Sequence, residues 1–289
     1  LYFSMINNIM NKFSFETPIN WNNCSYLLIA HIISIYSLTI ISTKLIPEIL
    51  FWYFFTSVGI TAGNHRLWSH RSYKAKLPTR FLLMILCSIA NQGSIYHWCR
   101  DHRTHHKHSD TVADPHNISR GFFYSHMGWL LLNKSNIVKN AGKNIVCTDL
   151  LDDWVVKINY DFHPYWNQFW CFIFPGIYGV WRFNSFIQGF LIFGVLRWVL
   201  VLHSTWCVNS VAHTYGNRPY SNIKSSESLF TALVANGEGW HNWHHTYPYD
   251  YATAESGIFY KWNPTKLFID ILWVFGQTYD HKRKITQKY

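Results

Sequence analysis

A chain of 289 residues that is 19% aromatic and only 14% charged suits one large domain, and no linker, repeat or composition shift divides it. Its formal net charge of +10 would suit nucleic acid, but Lys and Arg flank long apolar stretches instead of forming a basic face, so a bilayer is the predicted surface and nucleic acid is excluded. Six cysteines (Cys24, Cys87, Cys99, Cys147, Cys171, Cys207) show no C-x-x-C pairing and read as reduced fillers, which excludes a disulfide frame and a thiolate zinc site.

In chain order, Leu1-Tyr2-Phe3-Ser4 reads as the remnant of a cleaved tag, leaving one domain over 5–289, with no secretory signal peptide and cleavage site. Stretches 25–43 and 45–63, joined by the turn from Lys44 to Pro47, are a predicted hairpin of membrane helices. Stretch 80–98 is also apolar, but His65 and His70 precede it and His102 follows, so a crossing would part them by about 30 Å. It is expected instead to be a buried or interfacial helix. Stretches 165–181 and 183–205 form a second hairpin, turned near Arg182-Phe183-Asn184. The fold expected is an all-α membrane protein of four transmembrane helices, with a helical cap of 64–164 and 206–289. Arg197, inside the fourth stretch, is expected where the helix leaves the bilayer on its way to His213. Arg66, Arg71, Lys74, Lys76, Arg80, Arg100, Arg103, Lys107 and the run from His281 to Lys284 all fall on the histidine side. The positive-inside rule therefore predicts a cytosolic cap and cytosolic termini, with the sequons at Asn23, Asn117 and Asn133 unglycosylated.

His102, His105 and His106 stand at i, i+3 and i+4, a spacing that puts three imidazoles on one helix face. His241, His244 and His245 repeat it after Gly237-Glu238-Gly239. With His65, His70 and His213 the candidate ligands number nine, and Asn209, one turn before His213, is expected to reach the metal through a water. His31, His97, His108, His116, His126, His163, His203 and His281 lack the clustering and are read as structural or surface residues. Nine imidazoles are too many for one ion, since zinc takes four ligands and octahedral iron six, so two ions are indicated. Imidazole-rich, thiolate-free sites suit iron that activates oxygen, although spacing does not name the metal, and zinc can take its place in a recombinant sample.

His65-Arg66-Leu67-Trp68-Ser69-His70, the 102–106 box, Asn209-Ser210-Val211-Ala212-His213 and Glu238-Gly239-Trp240-His241-Asn242-Trp243-His244-His245 closely resemble the membrane acyl-CoA desaturases of the stearoyl-CoA (delta-9) type. The likeness extends through Gly121 to Leu132 and Tyr215 to Tyr220. What it implies is a multi-pass enzyme of the endoplasmic reticulum membrane, mushroom-shaped, with a di-iron centre in its cytosolic cap. Such enzymes use O2 and two electrons to introduce a cis double bond, most often at the ninth carbon of a saturated fatty acyl-CoA. By the same resemblance Gln92, Trp98, Thr205 and Trp206 line the bend of a substrate tunnel, Arg100 and Asp101 contact the adenosine of coenzyme A, and Lys134 contacts phosphate; Asn133 stands where the family has a basic residue. Ile49 and Tyr53, matched backward from His65, fall where the family closes the tunnel, and the bulk of Tyr53 implies palmitoyl or shorter chains over stearoyl. The sequence holds no haem-attachment motif or flavin fingerprint, so the implied electron donor is cytochrome b5 with its NADH-dependent reductase, with no covalent cofactor and no catalytic residue beyond the metal ligands. An unactivated methylene has no acidic proton and no leaving group, which fits metal chemistry rather than side-chain catalysis. A related membrane di-iron lipid hydroxylase is the nearest alternative, and a non-catalytic membrane metal-binding protein the next.

Overall fold

The computed structural model describes residues 17–255 and 260–284; the expected tag remnant at 1–4 lies outside them. Helix α1 (Trp21–Thr39) starts where the Asn20 side chain accepts the Asn23 N–H at 3.1 Å. Its outer face is apolar, with Leu28, Ile29, Ile32 and Ile35 all more than half exposed. On its inner face Ser34 and Ser37 return their hydroxyls to the carbonyls of Ala30 and Ile33, each at 2.8 Å, so no polar group is left unpaired. Helix α2 (Thr43–Ser69) follows and is long and apolar enough to cross a bilayer. After α2 come α3 (Leu77–Ala90) and α4 (Ile95–His108), then short cap helices leading to α5 at 165–183 and α6 (Phe186–His213). Helix α6 also has the length and apolarity of a span. Asn184, in the left-handed region at φ 55°, turns α5 into α6. The two helices then approach so closely that a Cβ on Gly179 would lie 2.5 Å from Gly189 Cα. The cap closes with α7 (Leu229–Val234), α8 (His241–Thr246) and α9 (Pro264–Val274). An antiparallel ribbon, β1 (Lys74–Ala75) on β2 (Thr278–Tyr279), ties the end of the chain to the segment after α2.

Several expectations change. The helices behind the predicted spans have other limits, 21–39 for 25–43, 43–69 for 45–63, 165–183 for 165–181 and 186–213 for 183–205. Helix α2 continues past residue 63 to carry His65 itself, and α6 continues to His213 in line with the expected exit of that helix from the apolar stretch. Stretch 80–98 is not one helix: Asn91 (φ 44°) and Gly93 (φ 91°) break it, and Ser94 caps a fresh helix, α4, in a new direction. The break is what returns the His102 box to the end of α2. Arg197 is not near solvent, being 0% exposed. Its guanidinium donates to the carbonyls of Phe193 (2.8 Å), Ile89 (2.7 Å) and Cys171 (3.0 Å), stapling α3, α5 and α6 together. The six cysteines are all free, as their spacing suggested.

Candidate metal centre

The last turns of α2 are π-helical, with the His70 N–H donating to the His65 carbonyl at 3.1 Å. An i→i+5 bond stacks residues five apart, so both rings face the same side. Helix α4 presents His102, His105 and His106 toward them, His213 ends α6, and α8 brings His241, His244 and His245. Their donor atoms form two groups, each with every atom within 4.8 Å of the others: His65, His70, His102, His106 and His244; and His105, His213, His241 and His245. The neighbours His105 and His106, like His244 and His245, go to different groups.

The inward atoms are Nε2. They face each other at 3.0 Å for His65 and His244, 2.8 Å for His70 and His102, 2.9 Å for His106 and His244, and 3.1 Å for His213 and His241. His105 and His245 stand at 3.3 Å, His241 and His245 at 3.1 Å. Ligands about 2.0–2.1 Å from a shared ion stand roughly 3.0–3.4 Å apart. Burial first, and then the neighbouring rings, holds His70, His102, His106, His241, His244 and His245 well below the usual histidine range, so they are neutral at pH 7 with lone pairs to give. Buried lone pairs converging in this way repel one another unless a cation lies between them, and the donor set therefore fits two metal ions. Five imidazoles in the first group exceed the four ligands of tetrahedral zinc and fall within the six of an octahedral ion.

Carboxylates stand behind the rings. Glu238 Oε2 lies 2.9 Å from His65 Nδ1, Asp114 Oδ2 is hydrogen-bonded to His105 Nδ1 at 2.9 Å, and Asp110 Oδ1 lies 3.3 Å from His213 Nδ1. A carboxylate at Nδ1 keeps the ring proton there and leaves Nε2 bare for a metal. Burial alone would raise the Glu238 pKa, but the charges of Arg66 and His65 outweigh it and hold the group below its ordinary value. Arg66, itself fully buried, reaches Glu238 Oε1 at 2.8 Å and thereby locks the acid in place. In the sequence Glu238 stood out only as part of the second box's lead-in, and Asp110 and Asp114 were missed. The available signal was a D-x-x-x-D spacing directly after the first box.

A long cavity of about 390 Å³ opens beside the clusters and a smaller one of about 50 Å³ lies against them. Trp98, His102, Thr205 and Asn209 line both. Gln92 bridges that wall, donating to Thr205 Oγ1 at 2.8 Å and accepting from Trp98 Nε1 at 3.1 Å. Trp206, Asp101 and Lys134 also line the long cavity, and Asp101 pairs with both Lys134 and Arg100. Ile49 lies elsewhere, packed with Leu45, Ile192 and Phe193. The Tyr53 hydroxyl donates to the Val234 carbonyl at 2.5 Å, and Tyr53 lines neither cavity. Of the histidines outside the two groups, His116 packs on His105 with ring centres 4.3 Å apart, and burial with the His105 charge brings its pKa down to about 3. His31, His203 and His126 form a separate chain, joined at 3.0 Å and 3.0 Å and ending on Ser210 Oγ at 2.9 Å.

Comparison with known proteins gives a match to the fatty acid desaturase family over residues 45–253. The chain is 44% identical over 274 residues to stearoyl-CoA desaturase 5 of Bos taurus, covering 92% of this chain and 81% of that protein. It is 43% identical over 271 residues to stearoyl-CoA desaturase of Homo sapiens, covering 91% and 74%. It is 43% identical over 278 residues to the Delta(9)-fatty-acid desaturase fat-7 of Caenorhabditis elegans, covering 94% and 81%.

Proposed function

The chain belongs to the fatty acid desaturase family, and from that membership we propose that it is a delta-9-type acyl-CoA desaturase, setting a cis double bond into a saturated fatty acyl-CoA with O2 and two electrons. The observation that carries this reading is the division of nine imidazoles into groups of five and four, with His65, His102, His105 and His241 lining the small cavity that shares Trp98, His102, Thr205 and Asn209 with the larger one. Two iron ions held by these groups would supply the hydrogen abstraction that an unactivated methylene requires; a recombinant sample takes up zinc at the same nitrogens. Protein side chains do the positioning. The Trp98–Gln92–Thr205 network, with Trp206, braces the wall at a bend and holds one carbon pair beside the clusters, so regiochemistry follows from position alone. Asn209, which lines both cavities and lies one turn before His213, would hold a water for the metal there. Arg100, Asp101 and Lys134 take the coenzyme A head group at the mouth.

The apolar outer faces of α1, α2, α5 and α6 support four spans, in the endoplasmic reticulum membrane with the cap and both termini in the cytosol. Electrons then come from cytochrome b5 and its reductase. Chain length is set where Tyr53 and Ser204 both donate to the Val234 carbonyl, next to the cavity-lining Ala235. Tyr53 lies two helical turns before Ile60 and Thr61, which line the small cavity; an acyl chain running past them along the helix would meet the Tyr53 ring as an end wall, which would favour palmitoyl-CoA over stearoyl-CoA. Ile49, one turn earlier on the same helix, would back that wall from its packing against Leu45, Ile192 and Phe193. On a ladder of saturated acyl-CoAs, Tyr53→Ala should move the optimum to longer chains; an unmoved optimum removes Tyr53 from the role.

The deciding experiment is reconstitution with cytochrome b5, its reductase and NADH, followed by mass spectrometry of the acyl products. A monounsaturated acyl-CoA is expected. A hydroxylated product would assign the chain to lipid hydroxylation, and metal binding without oxygen or NADH consumption would remove the enzymatic reading altogether.

A further inference from the structure

His97 lines the mouth of the long cavity with Asp101 and Lys134, and belongs to neither imidazole group. Ser94, the cap of α4, accepts the His97 backbone N–H at 3.3 Å, and its hydroxyl lies 2.8 Å from His97 Nδ1. The hydroxyl holds Nδ1 in either tautomer; in the one where it donates to Nδ1, the neutral ring carries its own hydrogen on Nε2 and presents it as a donor. Tyr96 and Tyr160, themselves in contact, pack together against one side of the ring, each with its centre 5.5 Å away. The side chain is thus held in one orientation with a donor to spare.

The charge at the mouth is thin. Asp101 is shared by Arg100, at 3.2 Å, and Lys134, so three charged groups leave one net positive charge for a ligand bearing several phosphates. Asn133, where a basic residue is expected, adds none. We propose, building on the acyl-CoA reading, that His97 is the missing basic contact and binds a phosphate oxygen of the coenzyme A head group through Nε2–H.

Burial and then Arg100 disfavour protonation of the ring; Asp101 offsets part of this, and His163 and Lys134 add to it. His97 therefore gains its proton below the usual histidine range, and a bound phosphate draws that proton on more readily. The added attraction is present at low pH and fades as pH rises through that range.

The test is equilibrium binding of palmitoyl-CoA to the purified, metal-loaded protein in detergent, at pH about 5 and about 8, so that the lower value reaches below the usual histidine range. His97→Gln keeps a neutral donor, and His97→Lys keeps a permanent charge. The parent should bind roughly three- to five-fold more tightly than His97→Gln at the lower pH and equally at the higher, the worth of one partly exposed ion pair. His97→Lys should hold the tighter affinity at both. A phosphate monoester itself loses charge near pH ~6 in every variant, so the ratio of parent to variant is the measured quantity. A ratio that does not change with pH, with His97→Lys no tighter than His97→Gln, overturns the proposal. Palmitoyl-CoA binding to none of the proteins while Lys134→Ala is equally inert overturns the acyl-CoA reading and the proposal with it.

Discussion

Six of the nine candidate ligands were legible from spacing, because an α-helix turns every 3.6 residues, which makes i, i+3 and i+4 a geometric statement; His65, His70 and His213 were added because their stretches end on the same side. The division of the nine between two ions was not legible, because His105 and His106 are neighbours in sequence and point to different centres. Nor was the use of the acids: a carboxylate behind a ring has no fixed distance in sequence from the histidine it orients, and Glu238 is 173 positions from His65 in a chain whose ends carry no hint of the contact. The role of Glu238 is testable with little change of shape. Glu238→Gln keeps a partner for Arg66 but offers His65 a weaker acceptor, so metal affinity should fall by about 10- to 100-fold. Chelator titration followed by metal analysis checks this; affinity equal to the parent would mean that His65 needs no carboxylate to hold its tautomer. Loss should also be selective: His245→Ala should deplete the four-imidazole group and spare the five, halving bound metal at saturating supply.

At the scale of elements, apolar stretches announced where helices would be and misjudged where they end. Hydropathy falls off at the bilayer edge, whereas α2 and α6 continue as long as backbone bonding and capping allow. The break at Asn91 and Gly93 carried a composition signal, since both residue types accept positive φ. The π-helical end of α2 carried none, because an i→i+5 bond is a matter of packing and leaves no residue signature. Arg197 shows the same limit. Its charge was visible, but the three carbonyls that receive it come from three helices, and no carboxylate pairs with it among the described residues. Replacing it with Gln leaves Ile89 and Cys171 carbonyls unmet in an apolar surround, each at a cost of about 1–3 kcal/mol. The thermal midpoint in detergent should fall on the order of 5 °C or more. An unchanged midpoint would show that these carbonyls find other donors.

For the whole molecule, the geometric argument that kept 80–98 from crossing the bilayer is what allowed the boxes to be joined on paper, and the folded chain joins them by turning back at Asn91. Orientation rests on charge alone and can be read from sugar. Of the three sequons, Asn117 is buried while Asn133 is exposed, so Asn133 is the one that reports. Protein made in microsomes should show no mass change on endoglycosidase treatment. A glycan that Asn133→Gln removes would turn the molecule over and set the cap in the lumen.

The alternation of ligands along α4 and α8 has a consequence for how long the enzyme lasts. His105 and His106, one residue apart, belong to separate imidazole groups, as do His244 and His245, so two bound ions would lace the two helices together twice at the same height. The partners of each lacing lie on α2, on α6 and on segments more than a hundred residues apart, and filling either group therefore closes several long loops at once, as a set of cross-links would. A chain made without metal lacks those links and keeps its crowded neutral rings, so its folded population shrinks by the whole binding free energy. Proteases act on the open form in proportion to that population. Abundance of the enzyme should accordingly follow metal supply after synthesis, measurable as a shorter pulse-chase half-life under chelation, and a membrane's unsaturation would be rationed by the lifetime of a protein.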